Sequence, residues 1–271
     1  MSQNWTLGLI GAGVMAETML AGALGQGVIG ANQVLASDPN GGRRAHLSER
    51  FGIRCVEENA EVFASADLIV LCVKPQSLQR LFESRSAIIN ESTQVLSIVA
   101  GASIGALSKG LGHSKVARAM PNLPCRVHCG TTVWTGAVGK DAERIRAVLS
   151  CMGDVIEVDQ EKHIDRATAV NGTGPAIIAE FVKAMTEAAT FIGEPRDLAR
   201  ASVLSTLKGT LEMIDQSDAH VAQLIDEVTS PGGTTSRALQ VLKKGRMAAV
   251  VTDSVNAAYL RTLELGADLN D

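Results

Sequence analysis

Trp5-Thr-Leu-Gly-Leu-Ile-Gly-Ala-Gly-Val-Met-Ala16 decides how this chain is read. Its first half is short and mostly apolar, the pattern of a buried strand. Its second half has the spacing Gly-x-Gly-x-x-Ala and opens onto an apolar helical stretch that runs to about Gln26. In such a turn the first glycine makes the tight bend, and the second lets a pyrophosphate approach the backbone. The small last residue lets helix and strand pack closely. Gly11, Ala12, Gly13, Val14, Met15 and Ala16 are therefore the candidate phosphate-binding turn of a dinucleotide site. The same spacing also serves a plain strand–helix turn.

The pattern that follows keeps alternating. Short apolar runs at residues 34–37, 66–73, 95–99, 115–120, 130–134 and 155–158 read as strands, with a helical stretch at 141–151 before the last. Strands alternating with helices predict a parallel, doubly wound sheet over residues 1–160. Ligands of such sheets bind beyond the carboxyl ends of the strands. Asp38 and Pro39 close the second strand. A carboxylate there bonds the adenosine ribose hydroxyls and repels a 2′-phosphate, whereas Arg43 and Arg44 could bind that phosphate. Asp38 points to NADH and the arginines to NADPH, with the balance slightly toward NADH; the cofactor is NADPH or NADH.

After a short charged stretch at 159–165 the strand pattern stops. Helical spacing covers residues 175–192, 196–214, 219–228, 236–244 and 247–265, which makes 161–271 an all-helical second domain. The last helix is apolar on most faces and needs cover on more than one side. Between two of these helices lies Thr229-Ser-Pro-Gly-Gly-Thr-Thr235. Pro231 fixes φ, the two glycines permit the bend, and hydroxyls enter the next helix at once. Two readings stay open: a seat for an anion such as a carboxylate, or a helix–helix turn with a Ser/Thr cap.

Composition narrows the function classes. Apolar residues make up 46% of 271, charged residues 20%, and the net charge is −4, without the basic block of a nucleic-acid binder. Aromatics are 3%, too few for a base-stacking platform. Neither a signal-peptide pattern nor an apolar run of membrane-spanning length is present, so a soluble cytoplasmic protein is expected. The five cysteines are an odd count and read as free thiols. Cys125-Arg-Val-His-Cys129 has the wrong spacing for the usual zinc pairs, and no metal is expected.

Leu224-Ile-Asp-Glu-Val-Thr-Ser-Pro-Gly-Gly-Thr-Thr-Ser-Arg-Ala-Leu-Gln-Val-Leu242 resembles the signature of the pyrroline-5-carboxylate reductase family. The resemblance implies hydride transfer from NAD(P)H to the C=N carbon of 1-pyrroline-5-carboxylate, giving proline in the last step of its biosynthesis. It assigns Ser230, Gly232, Gly233, Thr234 and Thr235 to the small-molecule substrate, with the Thr235 hydroxyl on the ring nitrogen as the catalytic contact. Val73, Lys74 and Pro75 would line the cofactor. Met120, Pro121 and Asn122 would wall its nicotinamide end, with Leu123 where the family has Thr. It also implies a homodimer intertwined through the helical domain; larger rings of dimers occur in that family. Residues 171–177 depart from the pattern: Asn171, Thr173 and Ile177 stand where the family has Ser, Ser and Tyr. That departure motivates one alternative, a reductase of another cyclic imino acid; a separate alternative is a non-catalytic nucleotide-binding sensor, against which the intact Ser-Pro-Gly-Gly-Thr-Thr turn stands. His220 and Asp218 stand where the family often has a histidine and can have an acid; neither is assigned a catalytic role.

Overall fold

The computed structural model describes residues 5–83 and 89–270. Eight strands form one sheet: β1 (Leu7–Ile10), β2 (Val34–Ser37), β3 (Arg54–Val56), β4 (Leu68–Leu71), β5 (Gln94–Ser97), β6 (Val116–Met120), β7 (Gly130–Thr135) and β8 (Gly153–Glu157). Their order is β3-β2-β1-β4-β5-β6-β7-β8. The order reverses between β1 and β4, the place where doubly wound sheets open a binding crevice. The helices between strands are α1 (Val14–Gly25), α2 (Gly41–Phe51), α3 (Asn59–Ser65), α4 (Leu78–Glu83), α5 (Ile104–Leu111) and α6 (Gly139–Ser150).

Central strands are buried along their whole length, as β1 and β4 are at every residue. Helices cover both faces, so these strands read as unbroken apolar runs. One core packs around Leu7, Leu9, Met19, Leu20, Trp134 and Leu149, the other around Ile10, Phe63, Ile69, Leu71 and Val95. β1 therefore sends alternate residues to opposite layers, as the two-residue period of a strand requires.

Two features differ from the expected sheet. β3 is an added edge strand of three residues, one of them an exposed arginine, too short to leave a periodic signal. β7 runs antiparallel to β6, while every other pair is parallel. The reason is chain length. Parallel return needs a crossover of a dozen or more residues, and only the short 3₁₀ segment Leu123–Val127 and its flanks join β6 to β7.

Beyond β8 come α7 (Lys162–Ala167), a π-helical turn at Thr168–Gly172, α8 (Gly174–Phe191), α9 (Arg196–Asp215), α10 (Val221–Glu227), α11 (Thr234–Lys244) and α12 (Met247–Asn270). The glycines of 171–174 do not interrupt the winding; the extra residue of the π turn absorbs them. The chain divides into two compact units. The first holds residues up to Thr173 together with Ala257 onward, and the second holds Gly174–Asn256. In the second unit α8 packs on α9, yet neither α8 nor α11 has a buried residue. Phe191 is 91% exposed and Ile192 79%. No helix among the described residues is long and apolar enough to cross a membrane.

One buried charge ties β6 to the helices that follow it. Arg118, almost wholly buried, donates to Glu161 at 2.7 Å and to Asp165 on α7 at 2.9 Å. Glu161 also accepts the N–H of Ile104 at 2.7 Å.

Candidate functional site

Strand register aligns the site. Ile10 pairs with Ser37 on one side and with Leu71 on the other, and Leu71 pairs with Ser97. The turns after β1, β2 and β4 thus leave the sheet side by side, bringing Gly11–Ala16, Asp38–Pro39 and Val73–Pro75 to one edge. β6 ends on that edge too, at Met120.

The glycine turn is held by backbone and carboxylate contacts. The Gly11 N–H donates to Ser37 O at 2.8 Å. Gly11 has φ +97°, and a Cβ there would stand 2.8 Å from Cys72 O. The Ala12 N–H donates to Asp38 Oδ2 at 2.8 Å, and the Asn40 N–H to Asp38 Oδ1 at 2.8 Å. Asp38 therefore braces the phosphate turn directly, a role additional to the ribose contact expected of it. Gly13 is the N-cap of α1 in an extended conformation, no side chain caps the helix, and nothing stands within 4 Å of a Cβ built there. Open space over free N–H groups at a helix start fits a dinucleotide's phosphates. Ala16 is fully buried against the strand, Val14 is half exposed, and Met15 is half-buried.

Both arginines near the second strand have partners. Arg43 Nε donates to Ala12 O at 2.7 Å, and its Nη2 meets Glu17 at 2.8 Å. Arg44 donates to the carbonyls of Asp38 at 2.7 Å and Pro39 at 3.0 Å and pairs with Glu57. Cys72 N–H donates to Ile10 O at 2.8 Å, which fixes the start of the Val73–Pro75 loop; Lys74 is exposed at its 3₁₀ turn. Burial pushes the Cys72 thiol up to about 12, so it is no thiolate nucleophile.

Glu17, in the first turn of α1, gathers His46 at 2.9 Å, Arg43 and Arg50. The His46 hydrogen bond, then that from Arg43, lowers its pKa from 4.5 to about 2. A carboxyl depressed on folding stabilises the fold above its unfolded pKa and loses that contribution as pH falls through the folded value. Glu17→Gln is expected to cost about 1 kcal/mol at neutral pH, small because its basic partners are a third to a half exposed. Urea unfolding of both proteins should show that difference shrinking between about pH 4.5 and pH 2. A difference that stays constant through that window would contradict the assignment.

At the far end of the site β6 runs into Met120-Pro121-Asn122. Asn122 Oδ1 accepts the Thr131 N–H at 2.9 Å, and its Nδ2 donates to Asn171 Oδ1 at 2.7 Å. Of the two polar departures from the family pattern, Asn171 reaches across to Met120 and Thr131, while the Thr173 hydroxyl donates back to Ala169 O in its own turn. The long-range bonds of Asn171 leave no local signal in sequence. The five cysteines are free, and among the described residues no cluster of three metal-ligating side chains occurs.

The substrate-turn residues lie in the second unit. The Thr229 hydroxyl donates to Ile225 O, and the Gly233 N–H donates to Ser230 O at 3.1 Å. Gly232 sits at φ +72°, the bend that only glycine makes without strain. Gly233 caps α11 in an extended conformation, and no side chain caps that helix either. A Cβ at Gly233 would meet Ser230 Oγ at 2.3 Å, so the serine hydroxyl lies over the glycine. Thr234 and Thr235 form the first turn, with Thr235 half-buried. His220 caps α10, its Nδ1 accepting the Ala222 N–H at 3.2 Å, a role that histidine's rarity as a cap had hidden.

Residues 161–265 match the family described as pyrroline-5-carboxylate reductase dimerisation, and residues 6–101 match NADP oxidoreductase coenzyme F420-dependent. A pyrroline-5-carboxylate reductase of Synechocystis is 36% identical over 96% of this chain and 98% of its own length. One from Pseudomonas aeruginosa is 36% identical over 97% of each chain. Among solved structures, a Plasmodium falciparum pyrroline carboxylate reductase with NADP bound superposes with a TM-score of 0.87 at 28% identity, covering 98% of this chain and all of that one. Sheet order, glycine turn and helical second part define a dinucleotide-binding oxidoreductase of the Rossmann type. More narrowly, relatives at this identity over nearly the whole length place it: the chain belongs to the pyrroline-5-carboxylate reductase family.

Proposed function

We propose that this protein reduces 1-pyrroline-5-carboxylate to L-proline, using NADPH or NADH. The observation that carries the reading is the start of α11. Its first N–H groups have no side-chain cap; Ser230 Oγ lies beside Gly233, and Thr234 and Thr235 supply hydroxyls in the first turn. A helix start of this kind holds a carboxylate, and hydroxyls beside it can orient a ring nitrogen. The nicotinamide cofactor supplies the hydride when bound. A cyclic imine is basic enough to be largely protonated near neutral pH, so the protein's part is to hold and orient rather than to donate a proton from a strong acid.

Residues 1–160 are assigned to the cofactor, through Gly11–Ala16, Asp38, Pro39, Val73, Lys74, Pro75, Met120, Pro121 and Asn122. Residues 161–271 are assigned to substrate and dimerisation, through Ser230, Gly232, Gly233, Thr234 and Thr235. A homodimer is supported by the exposed apolar side chains of the second unit and by α8, eighteen residues long without one buried. We place the enzyme in the cytoplasm, in keeping with its free thiols, and extend the assembly to a ring of dimers as the finer form of this reading.

The test is loss of NADH and NADPH absorbance, measured separately with 1-pyrroline-5-carboxylate and the purified protein. Rapid oxidation of either supports the reading; oxidation of neither, with cofactor still bound, overturns it. Thr235→Ala is expected to lower kcat about tenfold while cofactor affinity stays within about twofold, the loss of one hydroxyl contact. Unchanged turnover would remove Thr235 from the site.

A further inference from the structure

We propose that Asn171 is a positioning residue for hydride transfer, acting by fixing the Met120–Pro121–Asn122 turn. The inference rests on the reaction proposed above, in which that turn walls the nicotinamide end. Its carrier is a closed ring of hydrogen bonds. Asn171 Nδ2 donates to Thr131 O at 2.8 Å, the Thr131 N–H donates to Asn122 Oδ1 at 2.9 Å, and Asn122 Nδ2 donates back to Asn171 Oδ1 at 2.7 Å. The second Asn171 N–H reaches Met120 O at 3.0 Å. One side chain thus joins the end of β6, the turn after it and the start of β7.

The chemistry of the ring accepts few substitutes. It needs two donors and one acceptor on a short stem, which among side chains is an asparagine's inventory. A serine has one donor, and an aspartate would set lone pairs against two carbonyls. A glutamine carries the same groups one methylene too far. The backbone is arranged to deliver this amide. Asn171 lies in the π-helical turn Thr168–Gly172, and such turns are frequent at functional sites. Gly172 beside it has no side chain, and a Cβ there would press to 3.0 Å from Met120 Cε.

Position, more than stability, is what the ring supplies. Pro121 has no N–H to give, so the turn has few main-chain bonds of its own. The sheet on either side is held by its own ladders and by Arg118. Loss of the ring should therefore loosen 120–131 and leave the rest of the unit folded. Hydride transfer is steep in distance, and a misplacement of about 1 Å can cost on the order of a hundredfold.

The experiment compares wild type with Asn171→Ala and Asn171→Asp. Single-turnover oxidation of bound NADPH or NADH by 1-pyrroline-5-carboxylate is measured per cofactor-bound site, so that unfolded protein does not count. Both variants are expected to slow by about ten- to a hundredfold, with cofactor Kd within about threefold of wild type. A rate per cofactor-bound site equal to wild type overturns the role, even if cofactor Kd rises. Amide exchange supplies a readout independent of turnover: residues 120–131 should exchange faster in both variants, with 94–97 in β5 unchanged. Unchanged exchange at 120–131 overturns the ring itself. If wild type oxidises neither cofactor, the reaction reading fails and the positioning role with it, while exchange still decides the clamp.

Discussion

Gly13→Val is expected to weaken cofactor binding by more than a hundredfold, about 3 kcal/mol, and to leave the melting temperature within about 2 °C of wild type. The two halves of that result have separate causes. Gly13 is in the extended region, with φ −75° and ψ −175°, which a β-branched residue adopts without strain. A Cβ built there meets nothing within 4 Å, so the folded protein has room for the side chain. The room is where the phosphates must approach the uncapped start of α1, and a branched apolar group both blocks the N–H groups and desolvates the anion. Gly11→Val is the control. There φ is +97° and the added atom would meet Cys72 O at 2.8 Å, so this substitution should damage β1–β4 packing and lower stability first. Titration of cofactor fluorescence beside thermal unfolding separates the two. Near-normal affinity in folded Gly13→Val would mean that the phosphates lie elsewhere.

That pair of glycines also shows what a sequence discloses. Both could be read from Trp5–Ala16 because the constraints on them are local: a bend, a close approach and a small packing residue within twelve positions. The strands and helices were legible for the same reason, since a run of apolar residues or a 3.6-residue spacing is a property of neighbours. What could not be read depends on distant partners. Asp38 was expected to face a ribose, yet its bond to the Ala12 N–H spans 26 positions. Asn122 and Asn171 lie 49 apart, and each alone looks like a turn residue. The antiparallel β7, by contrast, was legible in principle, since the short stretch between residues 120 and 130 leaves no room for a parallel crossover. The small edge strand β3 had too few residues for a pattern. Substrate-turn residues Ser230–Thr235 were legible as a turn with a hydroxyl-rich helix start, and the resemblance supplied the ligand.

Arg118→Ala is expected to cost about 3 kcal/mol of unfolding free energy, the largest stability effect of any single change considered. Two exposures decide the size. Arg118 shows 3% of its side chain, so its guanidinium has left water almost entirely. Glu161 and Asp165 keep 32% and 27%, so once orphaned they regain some hydration but remain beside a cavity. The mutant thus loses the packing of a long side chain, the two charge-assisted bonds, and the neutralisation of two carboxylates on adjoining turns. Arg118→Met, which refills the volume, should recover only the packing share. Combining it with Glu161→Gln and Asp165→Asn should recover most of the rest, because replacing a whole buried ion cluster costs far less than removing one member. Added salt should weaken the Glu17 cluster, whose basic partners are a third to a half exposed, more than this one, whose guanidinium is buried. Denaturant unfolding with an unchanged m-value measures each step. A loss in Arg118→Ala of under about 1 kcal/mol would show the carboxylates indifferent to their partner. Since α7 runs straight into the turn that carries Asn171, this ion cluster secures the frame on which the amide is placed: Arg118 holds the element, and Asn171 sets the position of what the element faces.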